Sequence, residues 1–136
     1  MDESSRPPRR NGRWLLVGGD AACLAFVTGL GFAWHQEVEA VASTRFLATF
    51  LPFLAAWLLT AGGLGALEPE RAADARQLWR PVVAVLVATP IGAALRSLWL
   101  GTTPMPVFIV VIGGVSLLAL GAWRTAYCVL QRDRLV

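Results

Sequence analysis

The stretch WLLVGGDAACLAFVTGLGFAW, residues 14–34, decides the fold. A helix of this length at about 1.5 Å per residue spans about 30 Å, the thickness of the hydrocarbon core of a bilayer. Three further apolar runs of similar length follow, at residues 46–67, 82–100 and 107–130. These runs are continuous rather than alternating, which argues against transmembrane strands. The sequence therefore predicts an all-α integral membrane protein with four transmembrane helices.

The composition of the chain supports a membrane protein. Hydrophobic residues make up 56% of the 136 residues and charged residues only 15%, whereas a soluble domain is about a quarter charged. A water-soluble chain of this length could not hide that much apolar surface, because small domains bury the smallest fraction of their surface. We therefore expect the lipid bilayer to be a partner. We expect no nucleic-acid partner, because the basic residues lie between apolar runs and no nucleic-acid-binding motif accompanies them.

The connections between the four runs predict the topology. They are short, at residues 35–45, 68–80 and 101–106, so successive helices are expected to be antiparallel in an up-down-up-down four-helix bundle. Residues 1–13 are polar and contain prolines, which predicts a disordered cytoplasmic arm. Residues 131–136 are predicted to form a cytoplasmic tail. The first run is longer than the 7–15-residue core of a signal peptide and contains Asp20, so we expect an uncleaved helix.

The distribution of arginine predicts the orientation of the bundle. Nine arginines flank the spans on one side: Arg6, Arg9, Arg10, Arg13, Arg71, Arg76, Arg80, Arg132 and Arg134. The other side has only Arg45 and, near the end of a span, Arg96. Cytoplasmic loops of membrane proteins are enriched in basic residues. We therefore expect a multi-pass protein of the cell membrane with both termini in the cytoplasm.

Two opposite charges lie inside the predicted spans at matching depth. Asp20 is six residues after Trp14, and Arg124 is six residues before Leu130, so each lies roughly 9 Å from the cytoplasmic edge. Charged groups are costly near the centre of a bilayer and usually find partners inside the bundle. The sequence predicts an intramembrane ion pair between Asp20 and Arg124. This pair either holds the helices in register or forms a proton- or cation-coupled site.

A second group of candidate residues lies toward the outer edge or faces a cavity between the helices: His35, Glu37, Trp57, Thr89, Pro90 and Arg96. Arg96 is expected to pair with Glu37 or to cap loop carbonyl groups. Thr89 and Pro90 form the best candidate for a locally irregular turn. Trp57 lies in the middle of its span and its indole N–H needs a partner, so we expect it to face inward.

The sequence predicts no metal site, no cofactor and no enzymatic activity. The two cysteines, Cys23 and Cys128, lie in apolar runs without further ligands at suitable spacing, and are expected to be small buried side chains. We find no nucleophile–base set, phosphate-binding loop or zinc-protease motif.

Several segments together resemble a known family: Asp20, His35, LPFLAAWLL at residues 51–59, TPIGAALRSLW at residues 89–99 and PVFIVVIGGVSLLALGAWR at residues 106–124. The chain resembles domain of unknown function family 3054, small four-span membrane proteins of actinobacteria and haloarchaea. The resemblance covers about residues 14–130. It implies the fold and the membrane location, and it implies no activity.

Three functions remain open at this point. The first is a small transporter or transport subunit that uses the Asp20–Arg124 site, which would need a homodimer for alternating access. The alternative is a non-enzymatic accessory or assembly subunit of a larger membrane complex. The least favoured is a lipid-modifying enzyme, for which only His35, Glu37 and Glu39 lie together at one interface.

Overall fold

A computed structural model describes residues 10–34 and 44–133 of the chain. Four long helices dominate this part: α1 (Arg10–Trp34), α2 (Thr44–Gly63), α4 (Trp79–Leu100) and α5 (Pro106–Asp133). A short helix, α3 (Pro69–Ala72), and a 3₁₀ turn (Ala75–Gln77) lie between α2 and α4. The predicted all-α four-helix bundle is confirmed. All four long helices are long and apolar enough to cross a membrane, and this indicates a membrane protein.

The four long helices form a closed ring in which α1 packs on α2 and α5, and α4 packs on the same two helices. As the residue number rises along α2, the number of the residue that it contacts on α4 falls. On the α2–α4 side, Thr49 bonds Arg96 and Thr60 bonds the Ala84 carbonyl. Successive long helices are therefore antiparallel, as the short connections predicted.

Large apolar side chains cover the outside of the bundle. Leu59 of α2 and Leu118 of α5, for example, are each more than two-thirds exposed. A soluble protein rarely exposes so much contiguous apolar surface. Inside the bundle, small residues such as Ala56 and Ala84 are fully buried around Trp57, so the helices approach one another closely.

The helix ends differ from the sequence prediction at several points. α1 begins at Arg10, so residues 10–13 of the predicted disordered arm are helical, whereas residues 1–9 and 134–136 lie outside the described part. α2 ends at Gly63 rather than at residue 67, because Gly65 adopts a left-handed conformation with φ of 68° that ends the helix. α4 begins at Trp79 rather than 82, and α5 extends from Pro106 to Asp133 rather than over residues 107–130.

The irregular turn expected at Thr89 and Pro90 is wrong. α4 continues as one helix through both residues. The Thr89 hydroxyl donates to the Val85 carbonyl at 2.7 Å, a bond within the helix that transmembrane threonines commonly make. Helices packed around a proline tolerate the missing N–H without unwinding.

Residues 64–78, which we call the cap, fold back against one end of the bundle instead of forming an open loop. Ala66, Leu67 and Ala72 of the cap are buried. Its backbone is held from the long helices: Arg80 Nη1 of α4 donates to the Leu64 carbonyl, and Cys128 Sγ of α5 donates to the Ala73 carbonyl at 3.0 Å. The cap therefore closes the end of the bundle at which α2 ends and α4 begins.

The close contact between α2 and α4 at Gly92 predicts one consequence for stability. A Cβ at Gly92 of α4 would lie 2.7 Å from Phe53 Cδ1 and 3.1 Å from the Phe53 Cα. Gly92→Ala is therefore expected to destabilise the protein by about 1–3 kcal/mol, because the two backbones must separate. The matched control is Gly114→Ala, where no atom lies within 4 Å of the added Cβ. Thermal unfolding in detergent should show a lower Tm for Gly92→Ala alone, and equal Tm values would contradict this packing.

Candidate functional site

Asp20 of α1 and Arg124 of α5 form an ion pair inside the bundle. Arg124 Nε donates to Asp20 Oδ1 at 3.0 Å, and Arg124 Nη2 donates to Asp20 Oδ2 at 2.5 Å. The exposed fraction is 0% for Asp20 and 1% for Arg124. The pair is thus bidentate and enclosed by protein, the geometry in which arginine binds a carboxylate most strongly.

A glycine next to the carboxylate allows α1 and α5 to approach closely enough for this contact. A Cβ on Gly19 would overlap the Trp123 indole ring, which packs directly against this position. One turn further along α1, Cys23 Sγ lies 3.9 Å from the Ala119 carbonyl of α5. Small residues on either helix therefore allow this close approach: Gly19 on α1 and Ala119 on α5.

Two further segments complete the coordination of the ion pair. Trp57 Nε1 of α2 donates to Asp20 Oδ2 at 3.1 Å, and the Arg124 guanidinium lies 5.8 Å from the centre of the Trp57 ring. Arg124 Nη1 donates to the Ala66 carbonyl of the cap at 2.6 Å. The predicted inward orientation of Trp57 thus has a specific partner, and α1, α2, α5 and the cap all meet at one point.

Sequence reasoning missed the Ala66 carbonyl. A backbone acceptor carries no side-chain signal, and residues 64–67 read as the apolar end of a transmembrane helix. The glycines at 62, 63 and 65 were the one available indication that the chain turns there.

The indole N–H of Trp123 is the exception in an otherwise satisfied cluster. It is buried, faces the Asp20 carboxylate and makes no hydrogen bond within the described residues. The carboxylate already accepts three hydrogen bonds, from Arg124 twice and from Trp57. Trp123 thus packs against Gly19, beside the ion pair, without a hydrogen bond of its own among the described residues.

A small cavity of about 10 Å³ lies between Arg124 and the cap. Arg71, Gln77 and Pro81 contribute to its lining. A space of this size holds about one water molecule when polar groups line it. The enclosed guanidinium of Arg124 and two polar residues of the cap, Arg71 and Gln77, thus border the same cavity.

The remaining predicted residues do not join the Asp20–Arg124 pair. Thr89 packs against Gly113 of α5, where an added Cβ would lie 3.1 Å from Thr89 Cγ2, and Pro90 follows it within α4. Arg96 lies at the end of the bundle opposite the cap, where its Nε donates to Thr49 Oγ1 at 3.0 Å. His35 and Glu37, and hence the expected contact of Arg96 with Glu37, lie outside the described residues.

Potential metal ligands and the two thiols were located in the described part of the chain. No group of three histidine, cysteine, aspartate or glutamate side chains there could hold a metal ion. Both cysteines are free thiols that contact backbone carbonyls of other segments; Cys128 is buried as expected, whereas Cys23 is only half-buried.

Comparison with known families identifies the chain's relatives. The family described as "Protein of unknown function (DUF3054)" matches residues 17–127, which include both members of the ion pair. The chain therefore belongs to this family. Comparison with curated proteins and with solved structures found no significant match.

The ion pair predicts a non-additive effect on stability. Asp20→Leu or Arg124→Met alone leaves a buried charge without its partner and is expected to destabilise the protein by about 3–5 kcal/mol. The double variant is expected to be more stable than either single variant, because no unpaired charge remains. Unfolding in detergent measures all three free energies.

The control for this cycle is the exposed ion pair in the cap, where Arg71 Nε lies 2.9 Å from Glu68 Oε2. Glu68→Gln and Arg71→Gln are expected to change stability by less than about 1 kcal/mol, because solvent screens the interaction. If the two buried substitutions are simply additive, the pair does not stabilise the bundle in this way.

Proposed function

We propose that this family member is a non-enzymatic accessory or assembly subunit of a membrane complex, passing several times through the cell membrane. The observation that carries the proposal is the enclosure of the Asp20–Arg124 pair. Both side chains are buried, and their hydrogen-bond partners come from the chain itself. These bonds support a structural role for the pair, which links α1, α2, α5 and the cap.

A coupled transporter makes different demands on such a pair. Its carboxylate must exchange a proton or cation with water during the cycle, so it needs a route to solvent. Here the carboxylate faces Arg124, Trp57 and Trp123. Breaking the bidentate pair would leave an unpaired charge at a cost of several kcal/mol. These features support the structural role over the transport role.

An accessory subunit would contact its partner through the exposed surface of the bundle. The described helices expose apolar side chains along their whole length, from Trp14 on α1 to Leu130 on α5. Such a surface packs equally well against lipid or against the transmembrane helices of another protein. The proposed partner is therefore another membrane protein or a second copy of this chain.

Transport remains the second candidate, and one observation favours it. The small cavity beside Arg124 lies under the cap, and the Arg124–Ala66 bond is a direct contact between the ion pair and the cap. Movement of the cap away from the bundle would open the pair to water from that side. In this alternative the cap is the gate and Asp20 is the coupling group.

One pair of measurements separates the two functions. Full-length protein purified in mild detergent from its native host is expected to retain a partner at constant stoichiometry. The Asp20→Leu/Arg124→Met double variant is expected to retain the same partner, because the pair acts only on the stability of the bundle. Recovery of the wild-type protein alone, or loss of the partner from a folded double variant, would contradict the proposal.

The second measurement is proton and solute flux in liposomes that contain the same proteins. Wild type and the double variant are expected to show equal background flux, with the Glu68→Gln/Arg71→Gln variant as the control. Flux by the wild type that disappears in the folded double variant would support transport instead.

We also propose that both termini and the cap lie in the cytoplasm. The support is the arginine asymmetry between the two sides of the membrane. A reporter that is active only outside the cytoplasm should be active when inserted in residues 102–105 and inactive when fused after Val136. The reverse pattern would invert the orientation.

A further inference from the structure

The cavity beside Arg124 lies between the ion pair and the cap. Its volume is about 10 Å³, and a protein cavity needs about 10–15 Å³ to admit one water molecule. Arg71, Gln77 and Arg124 contribute polar side chains to its lining, and Ala66 and Ala72 of the cap border it as well. The structural role of the ion pair assigns no occupant to this space.

The guanidinium of Arg124 has more donors than the protein satisfies. A guanidinium carries five N–H groups and accepts no hydrogen bond. Asp20 uses two of those on Arg124, and the Ala66 carbonyl uses a third. The other two N–H groups make no hydrogen bond within the described residues. Because Arg124 is only 1% exposed, bulk solvent does not reach them, and a buried charged donor without an acceptor is costly. An acceptor inside the cavity is therefore favoured.

The Gln77 side chain has an orientation that leaves its amide nitrogen without an acceptor. Gln77 Oε1 accepts a hydrogen bond from Arg80 Nε at 2.6 Å. Because a guanidinium only donates, the amide oxygen must face Arg80, and the amide nitrogen must then face away from it. Gln77 Nε2 makes no hydrogen bond within the described residues. Arg80 in turn donates to the Leu64 carbonyl, so this orientation is fixed from both α4 and the cap.

The charges around the cavity favour water over an ion. Arg124 is neutralised by Asp20, and Arg71 Nε lies 2.9 Å from Glu68 Oε2. An anion would therefore enter without an unbalanced positive charge to receive it. A cation would meet two guanidinium groups, and the space is too small for an organic molecule. Water is the neutral molecule of suitable size that both accepts and donates hydrogen bonds.

We propose that one buried water molecule occupies this cavity, where it accepts hydrogen bonds from Arg124 and Gln77 and donates one to the Ala66 carbonyl. That carbonyl accepts one bond from Arg124 and has a second lone pair. Three partners are the usual number for a buried water. Gln77 is the positioning residue, and it links the water to Arg80. The water thus connects α4, which makes no direct hydrogen bond to the ion pair among the described residues, to the same network.

The test measures magnetisation transfer by NMR from water to the side-chain N–H protons of Arg124 and Gln77, in isotope-labelled full-length protein in detergent micelles. Cross-relaxation from a bound water and proton exchange with bulk solvent have opposite signs in a rotating-frame spectrum, so the two are separable. Wild type is expected to show the bound-water signal at both side chains. Its absence at Arg124 in the wild type would overturn the proposal.

Two variants remove the water in different ways. Ala72→Val adds volume at the wall of the cavity, and Gln77→Leu removes one of the partners. Each is expected to abolish the bound-water signal at Arg124 while the protein remains folded, as judged by its Tm. The matched control is Ala75→Val on the exposed surface of the 3₁₀ turn, which should keep the signal. A signal retained in the folded variants would contradict a water at this position.

A further variant excludes a relayed signal. Arg71 also borders the cavity and is exposed, so its own exchanging protons could carry magnetisation from solvent to Arg124. Arg71→Leu removes those protons and leaves the three proposed partners of the water in place. The bound-water signal at Arg124 is therefore expected to persist. Its loss from the folded Arg71→Leu variant would show that the signal comes from Arg71, and would overturn the proposal.

Discussion

An isolated charge in the interior of this bundle has no solvent to stabilise it, and that constraint organises the structure around Asp20. Its carboxylate requires Arg124, and the guanidinium of Arg124 requires a further acceptor, which the cap supplies through the Ala66 carbonyl. Trp57 adds a donor from α2. Only α4 makes no direct hydrogen bond to the cluster among the described residues, and α4 is tied to α2 through the close approach of Gly92 to Phe53. One charge thus determines how most of the chain must pack.

The α2–α4 and α1–α5 interfaces are stabilised by different interactions. At the α2–α4 interface, small residues of α4 such as Gly92 pack against α2 side chains that include Phe53, and its stability comes from dispersion contacts. The α1–α5 interface contains a buried ion pair in addition to its packing contacts. Since lipid offers no hydrophobic driving force between helices, packing and polar contacts are the forces left to hold such a bundle together.

The sequence was sufficient for the features that depend on length, hydropathy and depth. The number of long helices and their antiparallel order follow from runs of about 20 apolar residues joined by short segments. Counting residues from the membrane edge placed Asp20 opposite Arg124, and the structure has them in contact. The cap could not be predicted, because residues 64–67 are as apolar as the helix before them and the bond from Arg124 goes to a backbone atom. The position of Arg96 on Phe108 depends on side-chain directions that spacing alone does not reveal.

The separation of the two charges along the chain has a consequence for biosynthesis. Asp20 lies on α1 and Arg124 on α5, 104 residues later in the chain. At usual elongation rates the carboxylate waits roughly 5–20 s for its counter-ion. During that interval Trp57 can supply a first hydrogen bond once α2 has been made. The bundle therefore reaches its paired state only after α5 has been made, and a chain truncated before α5 retains a carboxylate without its counter-ion.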